Sequence, residues 1–214
     1  MITLDILSDP ICPWCHIGRA NLFRALEARP DHPFAIAWHP FQLNPDMPPG
    51  GMDRRVYLEA KFGRAEGAER AYAPVRDAAR EAGLSIDFDT IGRTPNTLDA
   101  HRLIHWAGLE GRQTPVATAL FRAYFEEGRD IGDAETLVAV GQGCGMDGEM
   151  LRRLLLTDAD RDDIRARDAH ARARGVTGVP TFVVAGRHVL RGAQPASLWK
   201  EVLAELAATG AGKP

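Results

Sequence analysis

The residues Ser8-Asp9-Pro10-Ile11-Cys12-Pro13-Trp14-Cys15-His16-Ile17-Gly18 put a C-x-x-C where a strand hands over to a helix. Ahead of them, Ile2-Thr3-Leu4-Asp5-Ile6-Leu7 is short, aliphatic and β-branched, as a strand feeding a sheet should be. Behind them, Ile17, Leu22, Phe23 and Leu26 recur at helical spacing, and Arg29-Pro30 gives a stop. Cys12 therefore sits at or just before a helix N-terminus, where unpaired N–H groups and the positive end of the helix dipole stabilise an anion. A thiolate is such an anion, so Cys12 reads as a nucleophile. Cys15, one helical turn on, can resolve a mixed disulfide. Pro13 suits the first turn because its missing N–H would have no intrahelical partner there. Trp14 has no packing demand at its position and can shape a contact surface beside the sulfurs.

Two other readings of the pair are half of a zinc site and two cysteines that are merely buried close together. A closed zinc site takes about four ligands, and no second C-x-x-C supplies the other pair; Cys144 is distant and His16 lies in the same helix. C-x-x-C beside a strand-helix-strand pattern is a redox signal, and that reading is preferred.

A chain of 214 residues with 45% hydrophobic content can bury a real core without disulfides. Its 26 basic and 29 acidic residues leave a net charge of -3, which points to neither nucleic acid nor an anionic membrane surface. No apolar run approaches a membrane span, and Met1 leads into the first strand without a signal-like segment. Three cysteines, two of them in the motif, argue against a secreted disulfide framework. The expectation is a cytoplasmic protein.

Phe34 to Phe41 reads as a second strand, ended by Pro40, and Gln42 to Gly51 as a Pro- and Gly-rich boundary loop. Helical patterns follow over Asp53 to Phe62, Glu66 to Ala82, Pro95 to Gly108, Thr114 to Glu127, Asp133 to Gly143, Asp147 to Leu156 and Thr157 to Arg174. In the last, Asp163/Arg167 and Asp168/Arg172 are i,i+4 pairs on what reads as a solvated face. Thr181 to Val184 and Arg187 to Arg191 form a β-hairpin around Ala185-Gly186, and Gln194-Pro195 opens a final helix that frays at Gly210 to Pro214. The order is strand, helix, strand, long helical insert, hairpin, helix. Residues 1–51 and 176–214 are expected to form the core, and residues 52–175 the insertion.

These motifs together resemble the DsbA-like thioredoxin-fold proteins, specifically the FrnE-like group, close to the 2-hydroxychromene-2-carboxylate isomerases and kappa-class glutathione transferases. The resemblance runs through Ser8-Asp9-x-x-Cys12-Pro13-Trp14-Cys15, Trp38-x-Pro40-Phe41-x-Leu43-Asn44-Pro45, Asn96-Thr97-Leu98-x-Ala100-His101-Arg102-Leu103, Gly175-Val176-x-Gly178-Val179-Pro180-Thr181-Phe182 and Gly192-Ala193-Gln194-Pro195. It implies an α/β, thioredoxin-like fold with a large all-helical insertion overhanging the active site, and a cis Val179-Pro180 bond facing the cysteines. It implies Cys12 and Cys15 as catalytic, with Pro13, Trp14, Val179, Pro180, Asn44 and Asn96 toward substrate. The isomerases and kappa transferases generally carry a serine or a lone cysteine at the motif, and Gly192-Ala193-Gln194 lacks the acidic contact to glutathione.

The expected function is thiol-disulfide oxidoreduction on a thiol- or disulfide-bearing protein or small molecule, without a cofactor, with glutathione as a candidate co-substrate. The alternatives are a glutathione-dependent isomerase or transferase and a redox-responsive chaperone or binding module. His101 and His105 have metal-compatible i,i+4 spacing but no third ligand, and read as structural; alternatively, Asn96 and His101 line the cleft between insert and core. Asp5, in the central strand, is a candidate buried proton relay to Cys15 or a salt-bridged structural residue. His39 is either near the cysteines or at a solvated strand end, and Cys144 is a small turn residue. Leu98, Ile104 and Trp106 serve either a homodimer surface or the core.

Overall fold

The computed structural model describes residues 1–63 and 65–208, so the expected fraying at Gly210 to Pro214 lies outside the described residues. β1 (Ile2–Ser8), α1 (Pro13–Glu27) and β2 (Phe34–Pro40) form the opening unit. β5 (Thr181–Val184), β6 (His188–Arg191) and α9 (Ala196–Ala208) close the chain. The four strands make one sheet in the order β2-β1-β5-β6, with β1 parallel to β2 and antiparallel to β5. Strand parity decides its faces: Leu4, Ile6, Phe182 and Val184 enter the main core with Leu22, Trp199 and Leu203. Phe182 meets Trp199 edge to face at 4.9 Å. Leu7 points the other way, onto Phe41 and Ala171.

Among the described residues, a two-stranded ribbon and seven helices stand between β2 and β5. The ribbon pairs β3 (Met52–Asp53) with β4 (Arg93–Thr94) and is too short to register as a period-2 pattern. The helices are α2 (Arg54–Phe62), α3 (Ala65–Glu81), α4 (Leu98–Leu109), α5 (Gln113–Phe125), α6 (Ala134–Gly143), α7 (Gly148–Leu155) and α8 (Arg161–Ala173). The insert docks on the core through α5. The Gln113 side-chain amide accepts from Trp38 N (2.9 Å) and donates to Trp38 O (3.1 Å), continuing the ladder beyond the edge of β2. His16 of α1 stacks between Phe121 and Phe125 at 5.3 and 5.6 Å.

Two expected helix starts shift inward for identifiable reasons. α4 begins at Leu98 rather than Pro95 because Asn96 forms a turn in which its Oδ1 accepts from Leu98 N at 2.9 Å. α8 begins at Arg161 rather than Thr157 because the fully buried Arg102 grips the α7–α8 turn. Its guanidinium donates to the carbonyls of Leu154 (2.8 Å), Thr157 (2.9 Å) and Ala159 (2.7 Å), and Asp160 adopts a left-handed φ of 61°. Leu98, Ile104 and Trp106 are buried, and the Trp106 indole donates to Asp160, so these residues serve the core. The Asp168–Arg172 pair is likewise no solvated decoration. Asp168 is buried and accepts from Gln42 N at 2.9 Å, while Arg172 lies over the Phe41 ring at 4.1 Å.

Arg102→Met would keep much of the volume but take the arginine donor from the Thr157 and Ala159 carbonyls, while the Leu154 carbonyl keeps Thr157 N and Oγ1. The expected loss is about 3 kcal/mol in urea unfolding, whereas Asp99→Asn, which disturbs only the half-exposed partner of Arg102, should cost about 1 kcal/mol or less.

Candidate active site

β1 runs out at Ser8, the chain turns through Asp9-Pro10-Ile11, and α1 starts at Pro13 with Cys12 as its N-cap in extended conformation, φ -87° and ψ 114°. No side chain caps the helix and its first turn holds no acid. The N-terminal N–H groups that a Ser or Asp would otherwise occupy are thus left to the Cys12 sulfur. Cys12 N donates to Asp9 O (2.9 Å), and Cys12 O accepts from Cys15 N and His16 N, which fixes both cysteines on one turn. The Val179-Pro180 bond is cis, and the Cys12 thiol donates to the Val179 carbonyl at 3.5 Å. Residues 167 apart in sequence thereby meet at one sulfur.

Both cysteines are thiols and both are buried, Cys12 at 3% exposure and Cys15 at 2%. Trp14 between them is exposed and Pro13 half-buried, so the motif presents its middle and hides its sulfurs. Burial and then the neighbouring Cys12 push the Cys15 thiol well up, opposed by the Ser8 hydroxyl and the Asp9 backbone. The Ser8 hydroxyl has no other hydrogen-bond partner among the described residues. Cys15 is therefore held as a thiol while Cys12 faces the helix dipole.

Gly18, one turn beyond Cys15, lets α1 close on the Pro180 segment. A Cβ there would stand 3.1 Å from Pro180 Cγ, 3.3 Å from Phe182 Cζ and 3.4 Å from the Ala193 backbone.

The residue that ties this turn to the insert is Asp9, whose part is not visible in the sequence pattern beyond its place in the motif. It is fully buried. Its carboxyl accepts from Leu43 N (2.6 Å) and Ile11 N (3.3 Å), and His101 Nε2 of α4 stands 3.9 Å away. Burial pushes the Asp9 carboxyl up to about 7, against the pull of the two backbone donors. Burial also pushes His101 down to about 4, so it is neutral at physiological pH, and its Nε2 makes no hydrogen bond. The only early signals were an acid inside an otherwise apolar turn and a histidine on an apolar helix face.

The other expected residues separate. Asn96 donates to Met47 O (2.6 Å) and accepts from Gln42 (3.2 Å), so its amide is spent on the loop after β2. Asn44 accepts from Tyr57 (3.1 Å), while its buried Nδ2 donor is free. Asp5 does not face Cys15: it is half-buried on the opposite face of the sheet and pairs with His39 at 2.9 Å. His105 contacts Arg167 rather than joining His101. Cys144 is the C-cap of α6. Among the described residues no three His, Cys, Asp or Glu side chains converge as metal ligands.

Residues 3–204 match the DSBA-like thioredoxin domain. The chain belongs to the DsbA-like thioredoxin family. Among DsbA-like structures it is similar to a "probable DsbA oxidoreductase" of Streptomyces coelicolor, at 32% identity and TM-score 0.86, covering 100% of this chain and 92% of that one. It shares its fold with the 2-hydroxychromene-2-carboxylate isomerase (16% identity, TM-score 0.73, 98% of each chain). It shares it also with the cytosolic disulfide reductase DsbM of Pseudomonas aeruginosa (21%, TM-score 0.67, 97% and 99%), which has also been solved with glutathione. The family match and the Streptomyces structure support an oxidoreductase role in general terms, while the other two likenesses show the fold alone.

Two predictions follow from the packing. Gly18→Val should lower stability by about 2 kcal/mol and slow thiol chemistry, read as a urea midpoint and a rate of thiol alkylation at Cys12. The pH dependence has a definite sign. Below about 6.5 the unfolded chain protonates His16 and His101, but burial holds them near 3 and 4 in the fold, so each subtracts stability as pH falls. Asp9, protonated below about 7 only in the fold, adds stability over the same range. Two losses against one gain leave a net loss of about 1.4 kcal/mol per pH unit between pH 6.5 and 5. Unfolding midpoints at those pH values measure it, and His16→Phe should flatten the slope.

Proposed function

We propose that this DsbA-like protein is a thiol-disulfide oxidoreductase working through Cys12 and Cys15. The observation that carries the reading is Cys12 as an uncapped helix N-cap, 3.5 Å from the Val179 carbonyl, with a protonated Cys15 one turn behind it. In the reducing direction the Cys12 thiolate attacks one sulfur of a substrate disulfide. A Cys12–substrate S–S bond forms, the substrate S–S bond breaks, and the departing thiolate takes up a proton. Cys15 then gives up its proton and attacks the Cys12 sulfur. The Cys12–Cys15 disulfide forms and the second substrate sulfur leaves as a thiolate, so two electrons pass from the dithiol to the substrate. Run backward, the same steps oxidise a substrate dithiol.

The remaining residues take roles around that exchange. Trp14 and Pro13 offer the exposed surface against which a substrate rests, and the backbone of Val179 beside Pro180 offers polar groups to an extended peptide. The free Nδ2 of Asn44, one residue from the Leu43–Asp9 bond, is a donor suited to a carbonyl or carboxylate of the substrate. Glutathione suits this site as the thiol that resets the pair, and the likeness to DsbM supports it. Cytoplasmic residence belongs to the same proposal, on the odd cysteine count. The glutathione-dependent isomerase is the competing reading, since the isomerase shares the fold. Cys15 favours oxidoreduction, because a resolving thiol would divert a glutathione adduct into the internal disulfide.

Redox titration in glutathione buffers, with thiols counted by mass spectrometry, tests the proposal. The wild type should form a reversible internal disulfide, Cys15→Ser should accumulate the mixed disulfide on Cys12, and Cys12→Ser should lose at least about a hundredfold in disulfide-exchange rate. Retention of glutathione without an internal disulfide, or isomerase turnover that survives Cys15→Ser, would sink it.

A further inference from the structure

The face of the sheet turned away from the main core is only partly covered. α8 crosses it near β2, packing Ala171 on Leu7 and Phe41. Beyond that contact a cavity of about 680 Å³ opens between α8 and the β5–β6 hairpin. Strand register builds its floor. Leu7 pairs with Thr181 and Thr181 with Arg191, while Asp5 pairs with Val183 and Val183 with Val189. Two rows of residues therefore share this face, and all six line the cavity. Arg187, two residues before Val189, joins them from the hairpin turn. From the opposite wall, Arg167, His170 and Arg174 recur at i, i+3 and i+7 along α8.

Four arginines thus line the cavity around Leu7, Val183 and Val189 in a chain whose net charge is -3, and of these Arg167 also contacts His105 at 3.1 Å. The lining contains one carboxylate, Asp5, and it is paired with His39. Only Arg167 has an acidic partner among the described residues, Asp163 at 3.6 Å. Charges on an edge strand discourage pairing with other chains, which accounts for Arg187 and Arg191 on and beside β6. It does not account for Arg167 and Arg174, which reach the same space from a helix. Guanidinium forks match carboxylate and phosphate geometry, and the volume falls in the range of small-molecule sites. Cys12, Cys15, Val179 and Pro180 are not among the lining residues.

We propose that this pocket binds a small organic anion, an aliphatic body carrying a carboxylate or phosphate group, at a site separate from the dithiol. Acidic groups meet the arginines from α8 and the hairpin together, and the aliphatic part covers Leu7, Val183 and Val189.

The test is titration of the full-length protein with octyl phosphate, octanoate, octanol and inorganic phosphate, each below its micelle-forming concentration, followed by backbone amide shifts. Octyl phosphate or octanoate should saturate shifts in residues 166–176 and 181–191, and whichever binds more tightly identifies the acidic group. Both Arg174 and Arg191 are exposed, so the Arg174→Gln/Arg191→Gln double variant should stay folded and bind about tenfold more weakly. Octanol should leave these amides unmoved. Absence of saturable shifts, undiminished binding by the double variant, or equally tight binding of octanol or of inorganic phosphate alone would overturn the proposal. Were the double variant to unfold, the comparison of octyl phosphate with octanol on the wild type decides the question.

Discussion

A buried carboxyl group holds the site together. Asp9 receives the backbone N–H of Ile11 in the dithiol turn and that of Leu43 in the loop leaving β2, and it faces His101 of the insert. Three segments that share no secondary structure are thereby joined within one side chain's reach of Cys12. The arrangement is costly, since an ionised carboxylate without water is disfavoured, and two backbone donors only partly offset that. The compromise is a carboxyl near 7 beside a histidine near 4. Neither group can be counted as fully charged at neutral pH, so the contact with His101 is no salt bridge, and the joint's hydrogen bonds come from Ile11 and Leu43. Around it, Gln42 and Asn96 and the Asp168–Arg172 pair form a polar shell in which one group's partner is also another's.

That joint holds the turn in which both sulfurs are buried. The insert docks beside the dithiol turn, with His16 clasped by Phe121 and Phe125 and with Gln113 completing the edge of β2. The burial of Cys15 pushes its thiol up, while the bare N-terminus of α1 acts on Cys12. In the proposed exchange this places the Cys12 sulfur at the helix N-terminus and keeps Cys15 one turn behind it as a thiol. Gly18 completes the arrangement by keeping the helix close to Pro180.

Much of this was legible where the chemistry is local. The strand, the helix and the C-x-x-C between them announce themselves by period and by a break, and the order of elements could be read in the same way. The polar joints could not, because their partners lie far along the chain: Asp9 and Leu43 are 34 residues apart, and Arg102 and Thr157 are 55 apart. No spacing rule connects such pairs before the fold does. For Asp5 the salt-bridged structural reading holds, through His39 at 2.9 Å, and only the alternative of a relay to Cys15 fails. Parity alone was enough to refuse it: Leu4 and Ile6 face the core against which α1 packs, so Asp5 between them must face the other way.

The two faces of the sheet consequently do different things. The face of Leu4, Ile6 and Phe182 is sealed by α1 and α9, and its apolar packing holds the turn from which Cys12 projects. The opposite face carries Asp5, His39, Thr181 and Arg191 and is closed at one end only, by α8. A sheet with polar groups on a half-covered face loses some of the burial that would stabilise it. The main core and the large helical cluster supply enough apolar packing to tolerate that loss. The open face can therefore hold four arginines around its cavity. The dithiol side is constrained by the segments that meet at Asp9, whereas the arginine side is left half-open between α8 and the β5–β6 hairpin.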